Sequence, residues 1–227
     1  FTDEAPTGIF FKEKIAGDKV NIYYYRNGSA ASTMIPIELD EEYIAQAKIL
    51  HISGITPALS ETAFESVMKA IEMAKRHQVK ISFDPNVRRK LLEPNRLREI
   101  LLIISKEVDY ILTGLDEGEF LTGETTPEKV AESLMSPKTQ SIIVKLGEKG
   151  AYYQTSMESG YVPSFPVEKV VDPVGAGDGF TAGFLSGILQ NESIAKSVCR
   201  GNAIGSRVVQ VNGDIEGLPT REEVTQI

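Results

Sequence analysis

From residue 47 onward the chain alternates short apolar runs with stretches of helical periodicity, at 48–52, 60–77, 79–83, 95–106, 108–112, 127–135 and 141–145. Apolar runs of about five residues separated by amphipathic helical segments are the pattern of βαβ units, whose strands run parallel because each crossover returns the chain to the same end of the sheet. The expected fold class is therefore α/β, built on a mostly parallel, doubly wound sheet. In such sheets ligands collect at the carboxyl ends of the strands. That rule singles out three polar turns: Asp84-Pro85-Asn86 after the run ending at Phe83, Thr113-Gly114 after Leu112, and Leu146-Gly147-Glu148 after Lys145.

A second feature supplies chemistry. The stretch Asp172-Pro173-Val174-Gly175-Ala176-Gly177-Asp178-Gly179-Phe180 sets a glycine-rich turn at the mouth of a helical pattern. Gly175 and Gly177 allow a tight turn and bring bare N–H groups close to a ligand, and the unpaired amides of a helix N-terminus carry about half a positive charge. A phosphate suits that position. A carboxylate there opposes simple anion binding but can take a proton from a hydroxyl that attacks the phosphate, so Asp178 reads as a general base. A helix-capping aspartate is the alternative. Gly179, Gly183 and Gly187 recur every four residues, although each costs about 1 kcal/mol against alanine inside a helix. Phe180, Phe184 and Ile188 form an apolar ridge beside them. A helix with this groove and ridge is expected to press closely onto the sheet.

Before residue 47, segments 8–15 and 20–26 read as two strands turning at Gly17-Asp18, rich in aromatic residues at Phe10, Phe11, Tyr23, Tyr24 and Tyr25. Residues 1–37 are expected to form a partial β lid with a substrate-contacting hairpin, and residues 38–227 a single nucleotide-binding core. The chain opens at Phe1 with no initiator methionine and no basic-then-apolar leader, and is expected to be a fragment. A net charge of −8, without a long basic stretch, speaks against nucleic-acid binding. The longest apolar run, 100–104, falls far short of the roughly 20 residues a membrane helix needs. One cysteine, Cys199, and two isolated histidines, His51 and His77, give no zinc-ligand spacing. A reducing cytoplasm is the expected location.

The nine residues from Asp172 to Phe180 resemble the C-terminal signature of the ribokinase-type sugar kinases, the PfkB family. The resemblance extends to Asp84-Pro85-Asn86-Val87-Arg88, to Lys145-Leu146-Gly147-Glu148-Lys149-Gly150 and to Gly213-Asp214-Ile215-Glu216-Gly217-Leu218-Pro219. It implies a ribokinase-like three-layer α/β/α fold with a small β lid. It also implies that Asp178 deprotonates a sugar hydroxyl while the amides of Gly175, Ala176 and Gly177 stabilise the transferring γ-phosphoryl group of ATP. The nucleotide site it implies comprises Asp84, Asn86, Arg88, Lys145, Gly147, Lys149, Gly150, Gly175, Ala176, Gly177 and Asn202. Lys145 and Asn202 also have ordinary readings, as a solvent-facing lysine and a polar helix residue in a stretch ending near Val211.

Within the family the chain looks most like the 2-keto-3-deoxygluconate kinases, in which a Tyr-x-Arg strand motif and an arginine after the Asp-x-Asn turn hold the substrate. Tyr24, Arg26 and Arg88 stand in those places, and an arginine fork suits a planar carboxylate better than a neutral sugar. A surface salt bridge for Arg26 and a helix-start contact for Arg88 are the alternatives. Asp214 is a substrate contact or a turn residue, and Phe10 stands where related enzymes often place a substrate-facing tyrosine. The family's Asn-x-x-Glu motif is matched to Asp116-Glu117-Gly118-Glu119, which implies water-mediated magnesium at Asp116 and Glu119, or simply an acidic helix start. A monovalent cation is an additional candidate cofactor, and the lid a candidate surface for homo-oligomers. The N-terminal Gly-Gly sugar-binding signature is absent, so weak or no catalysis is expected of residues 1–227. A fructokinase or other sugar kinase is the rival within the class, and a non-catalytic sugar or nucleotide sensor the rival outside it.

Overall fold

The computed structural model describes residues 2–15, 19–213 and 215–224. It divides into two compact units, Phe1–Asp109 and Tyr110–Ile227. The hairpin expected as a lid falls within the first; its turn, Gly17-Asp18, lies outside the described residues.

In the first unit, β1 (Ile9–Ile15) and β2 (Lys19–Tyr25) pair antiparallel, with Phe10 opposite Tyr24 and Phe11 opposite Tyr23. Aromatic residues at successive positions populate both faces of this ribbon, since side chains alternate along a strand. Phe11 meets Tyr25 edge-on at 5.8 Å. A short helix α1 (Glu41–Ala45), capped by Asp40, leads to β3 (Ile49–Ser53). Ser60 caps α2 (Glu61–Arg76) by accepting from the Ala63 amide at 3.0 Å, and Lys75 and Arg76 in the last turn complement the helix dipole. Ala63, Val67, Ile71 and Ala74 form its buried stripe. β4 (Lys80–Asp84) then pairs parallel with β3, from Ile49 against Lys80 to Ser53 against Asp84. Pro94 starts α3 (Pro94–Ser105), where a missing N–H costs nothing, and Leu97, Ile100, Leu101 and Ile104 are its core face.

The second unit opens with β5 (Tyr110–Gly114), which runs two residues beyond the expected end at Leu112 because Thr113 and Gly114 continue the ladder opposite Val144 and Lys145. Helix α4 (Leu115–Thr122) follows at once and stops at Gly123, whose φ of 82° ends it in the left-handed conformation. After α5 (Pro127–Leu134), β6 (Ser141–Lys145) pairs parallel with β5. The parallel order ends there: β7 (Ala151–Gln154) and β8 (Ser159–Val162) add as antiparallel strands. The unit closes with α6 (Ala176–Leu189), α7 (Ile194–Val208) and the short α8 (Arg221–Val224). α7 thus ends three residues before the expected Val211.

The helix of the glycine-rich turn packs differently from expectation. Its aromatic ridge does meet the strands: Phe180 and Phe184 bury against Tyr110, Leu112, Ile143, Ala151 and Tyr153, each worth roughly 1.5–3 kcal/mol of burial. Its glycine groove instead faces α7. A methyl group at Gly183 would lie 2.9 Å from Ile204 and 3.0 Å from the Arg200 carbonyl, and one at Gly187 2.6 Å from Ser197. Gly201 on α7 answers in kind, with the Phe180 carbonyl 2.9 Å from where its Cβ would stand. The helix-to-helix approach, closer than side chains allow, offsets the propensity lost to the glycines. Among the described residues no helix is long and apolar enough to cross a membrane.

Candidate active site

Gly175 sits at φ 85° as the N-terminal cap residue of α6, and no side chain caps the helix there. The amides of its first turn therefore point outward with only a ligand or water to satisfy them. Asp178 is the third residue of the helix rather than its cap, is exposed, and has no hydrogen bond or ion pair among the described residues. It is an uncommitted carboxylate in the first turn of a helix whose leading amides have no side-chain cap. Behind it, Asp172 is buried, and its Oδ1 accepts from the Val174 amide at 3.0 Å, fixing the turn that leads into Gly175. The first unit repeats this device: Asp84 is buried, and its Oδ1 accepts from the Asn86 amide at 3.0 Å while Asn86 adopts φ 40°. Both Asp-Pro turns are thus shaped by their own aspartate. Gly54 makes room for the Asp84 turn, since a Cβ there would lie 2.0 Å from the Pro85 carbonyl oxygen.

Two adjoining clefts open in the second unit, the larger of them beside α6. The larger, about 700 Å³, runs from Lys145, Ala176 and Gly177 past Asn202 and Ser206 to an apolar end formed by Phe165, Pro166, Val170 and Val209. The smaller, about 580 Å³, is bounded by Gly114, Asp116, Glu117, Lys149 and Tyr161. Lys145, Gly147 and Glu148 belong to both. This is the carboxyl-end rim of β5 and β6, where Gly114 stands opposite Lys145. Lys145 turns toward the helix mouth, its Nζ 3.6 Å from where a Cβ on Gly177 would be. Gly147 is left-handed at φ 60° with open space around it, whereas Gly150, at φ 93°, has the Val162 carbonyl oxygen 2.1 Å from its virtual Cβ. Asn202 is buried, and its Nδ2 donates to the carbonyls of Val162 and Pro163 at 3.0 and 3.1 Å.

The acidic segment departs from expectation. Asp116 lines the smaller cleft, but its neighbour there is Glu117; Glu119 is exposed on α4 and is not part of the lining. Glu117 is the third residue of α4, and its carboxylate accepts from the Gly114 amide at 2.9 Å, which turns the side chain back over the helix start. Tyr161, not singled out from sequence, closes the far wall. Its hydroxyl donates to Glu128, and that bond, with burial adding to it, pushes the phenol up to about 12. The same bond holds the Glu128 carboxyl below the usual carboxylate range.

In the first unit Phe10, Tyr24 and Arg26 share one face of the hairpin. Their rings lie 6.0 Å apart, and the Arg26 guanidinium stacks over Tyr24 at 4.0 Å. Gly8 leaves space for Arg26, whose Cβ is 3.1 Å from a virtual Cβ there. Arg26 Nε is buried with no hydrogen-bond partner. Burial holds this guanidinium below its ordinary range, Tyr24 opposes the shift, and the charge of Arg88 adds to it. Two arginines are therefore within electrostatic reach of each other. Neither is paired with a carboxylate among the described residues; Arg88 Nη1 donates only to the Val87 carbonyl at 3.2 Å. Guanidiniums of this kind can accept an anion through charge-assisted hydrogen bonds. Asp214 lies outside the described residues.

A sequence profile described as pfkB family carbohydrate kinase matches residues 1–221. The chain is 41% identical to the 2-dehydro-3-deoxygluconokinase of Bacillus subtilis (strain 168), over 98% of its own length and 69% of that protein's. It is 34% identical to a probable fructokinase-3 of Arabidopsis thaliana, over 97% and 66%. Among solved structures it is similar to a PfkB protein from Polaromonas sp. JS666, with a TM-score of 0.87 and 38% identity over 98% of this chain and 71% of that one. It also matches a protein described as a Ribokinase II from E. coli, in complex with ATP and Mg2+, with a TM-score of 0.84 and 27% identity over 92% and 67%. The fold is that of these neighbours: a mostly parallel central sheet with helices around it, plus a small antiparallel sheet.

Proposed function

We propose, for a chain that belongs to the PfkB family of carbohydrate kinases, that its reaction is the ATP-dependent phosphorylation of a sugar acid, 2-keto-3-deoxygluconate (2-dehydro-3-deoxygluconate), at its 6-hydroxyl. The observation that carries the choice of substrate is the Arg26 and Arg88 pair, two guanidiniums whose charges reach each other and which have no acidic partner among the described residues, with Arg26 Nε buried and unbonded. Holding like charges together costs free energy unless an anion completes the site. A sugar carboxylate supplies that anion through charge-assisted, bidentate hydrogen bonds, and a neutral ketose does not.

In this reading Asp178 takes the proton of the attacking hydroxyl, a contribution of about 10²- to 10⁴-fold. The uncapped amides of the α6 first turn and the Lys145 ammonium hold negative charge as it develops on the transferred group. The apolar end of the larger cleft suits an adenine ring. Gly147, Lys149 and Gly150 shape the turn beside it, and Asp84 and Asn86 shape the Asp-Pro turn of the first unit. Magnesium takes few protein ligands and keeps water and phosphate oxygens in its shell. Asp116, with Glu117 beside it, is the carboxylate in the cleft wall that would steady such an ion, whose chemistry is to neutralise phosphate charge. No group of three ligating His, Cys, Asp or Glu side chains gathers among the described residues.

Fructokinases among the relatives make fructose the rival substrate. ADP release measured with 2-keto-3-deoxygluconate and with fructose decides between them. The account expects the sugar acid to be preferred at least tenfold in kcat/KM. Fructose phosphorylated as efficiently would overturn the carboxylate reading.

A further inference from the structure

The wall of the larger cleft opposite α6 is a strap, residues 163–171, that carries almost no regular structure. One face of α7 holds it. Asn202, Ser206 and Gln210 recur four residues apart, so they stack along one line of the helix and its C-terminal extension. Each meets the next station of the strap in order. Asn202 Nδ2 donates to the carbonyls of Val162 and Pro163. Ser206 Oγ lies 3.0 Å from Ser164 Oγ and donates to the Phe165 carbonyl at 3.4 Å. Gln210 Oε1 accepts from the Glu168 amide at 3.4 Å, while its Nε2 donates to the Ser206 carbonyl at 2.9 Å. The Val209 carbonyl then accepts from both Val171 and Asp172, at 2.7 and 3.2 Å. The last of these bonds joins the strap directly to the turn before Gly175.

We propose that Asn202, Ser206 and Gln210 form a polar ladder of positioning residues that sets the strap at the width of a purine ring, and so governs affinity for the base end of the nucleotide rather than for its phosphates. The inference rests on the reading of the larger cleft as the ATP site. Its physical ground is the division of the cleft itself. Donors suited to phosphate lie at Lys145, Ala176 and Gly177, whereas the strap contributes the mostly apolar Phe165, Pro166, Val167 and Val170, with Glu168 and Lys169 between them. A strap released from α7 keeps its residues but loses their placement, and ordering it again on binding draws on the binding free energy.

Equilibrium binding of ATP and of inorganic tripolyphosphate to the 227-residue chain tests this, for the unsubstituted protein, Gln210→Ala, Ser206→Ala with Gln210→Ala, and Ser206→Thr. The double variant should bind ATP about tenfold more weakly and tripolyphosphate unchanged, with faster amide exchange at Glu168. Gln210→Ala should show a smaller loss in the same direction, and Ser206→Thr, which keeps the hydroxyl, should bind ATP normally. Gln210 lies outside the cleft lining, which separates positioning from direct contact. Equal weakening for both ligands would mean a general structural defect and would overturn the proposal, as would unchanged ATP binding by the double variant. If the unsubstituted protein bound tripolyphosphate but not ATP, the ATP reading of the cleft would fail and the ladder's role with it.

Discussion

Gly150 and Gly147 stand three residues apart in the loop after β6, both at positive φ, and they should respond very differently to alanine. At Gly147, φ 60° is a conformation alanine adopts at a cost of about 1–2 kcal/mol, and no atom lies within 4 Å of the added methyl. The smaller freedom of an unfolded chain carrying alanine returns about 0.4–1 kcal/mol, so the net loss should be near 1 kcal/mol or less. At Gly150, φ 93° and ψ −129° lie where only glycine rests comfortably, a strain of roughly 1–3 kcal/mol. The methyl would also lie 2.1 Å from the Val162 carbonyl oxygen and 2.7 Å from the Pro163 carbonyl carbon. That backbone does not give way freely, because Asn202 holds both carbonyls and Val162 pairs with Ala151 in the sheet. Overpacking of this kind costs about 1–3 kcal/mol more. Gly150→Ala should therefore lose about 1–5 kcal/mol net, or roughly 2–20 °C in Tm at 2–4 °C per kcal/mol for a chain of this size. Thermal melts followed by circular dichroism, with urea titrations in parallel, measure both variants. Equal Tm values for Gly150→Ala and Gly147→Ala would refute the reasoning, since only the first meets a backbone wall.

Arg88→Ala should reduce kcat/KM for 2-keto-3-deoxygluconate by about 10- to 100-fold, the loss of one charge-assisted contact of roughly 1.5–3 kcal/mol, while activity on fructose changes little; parallel steady-state assays on the two sugars check it. Tyr161 should titrate near 12, visible as the phenolate absorbance that disappears in Tyr161→Phe, and Glu128→Ala should bring that step down toward 10. Its folded value is raised, so its contribution to stability is complete below pH 10 and is lost as the pH rises toward 12.

The alternation of strands and helices was legible because each run is long enough to show its period, and β6 falls where expected, at Ser141–Lys145. The β7–β8 pair was not: four residues carry too little periodicity to mark a strand, and Ala151 follows Gly150 without an intervening turn signal. The spacing of Gly179, Gly183 and Gly187 revealed a groove but not its occupant, because a bare helix face suits a sheet and a second helix equally well. Only the reciprocal Gly201 on α7 resolves it. At the site, the glycine turn and Asp178 stood out because their residue types are costly in an ordinary helix. The direction of Glu117 was not legible because an acidic first turn gives none to its side chains; the bond back to the Gly114 amide supplies it. Ser206 and Gln210 escaped notice for a related reason. Polar residues every fourth position read as a solvated helix face until an irregular segment is found lying along them.

The claim on which the account depends is that Asp178 is the base of a phosphoryl transfer and not a binding group. Asp178→Asn, assayed for ADP release with 2-keto-3-deoxygluconate and for ATP affinity in the same preparation, tests it most directly. The account predicts turnover lower by about 10²- to 10⁴-fold with ATP bound as tightly as before, or slightly more tightly once a negative charge is removed from the helix mouth. Turnover within a few-fold of the unsubstituted protein would contradict it.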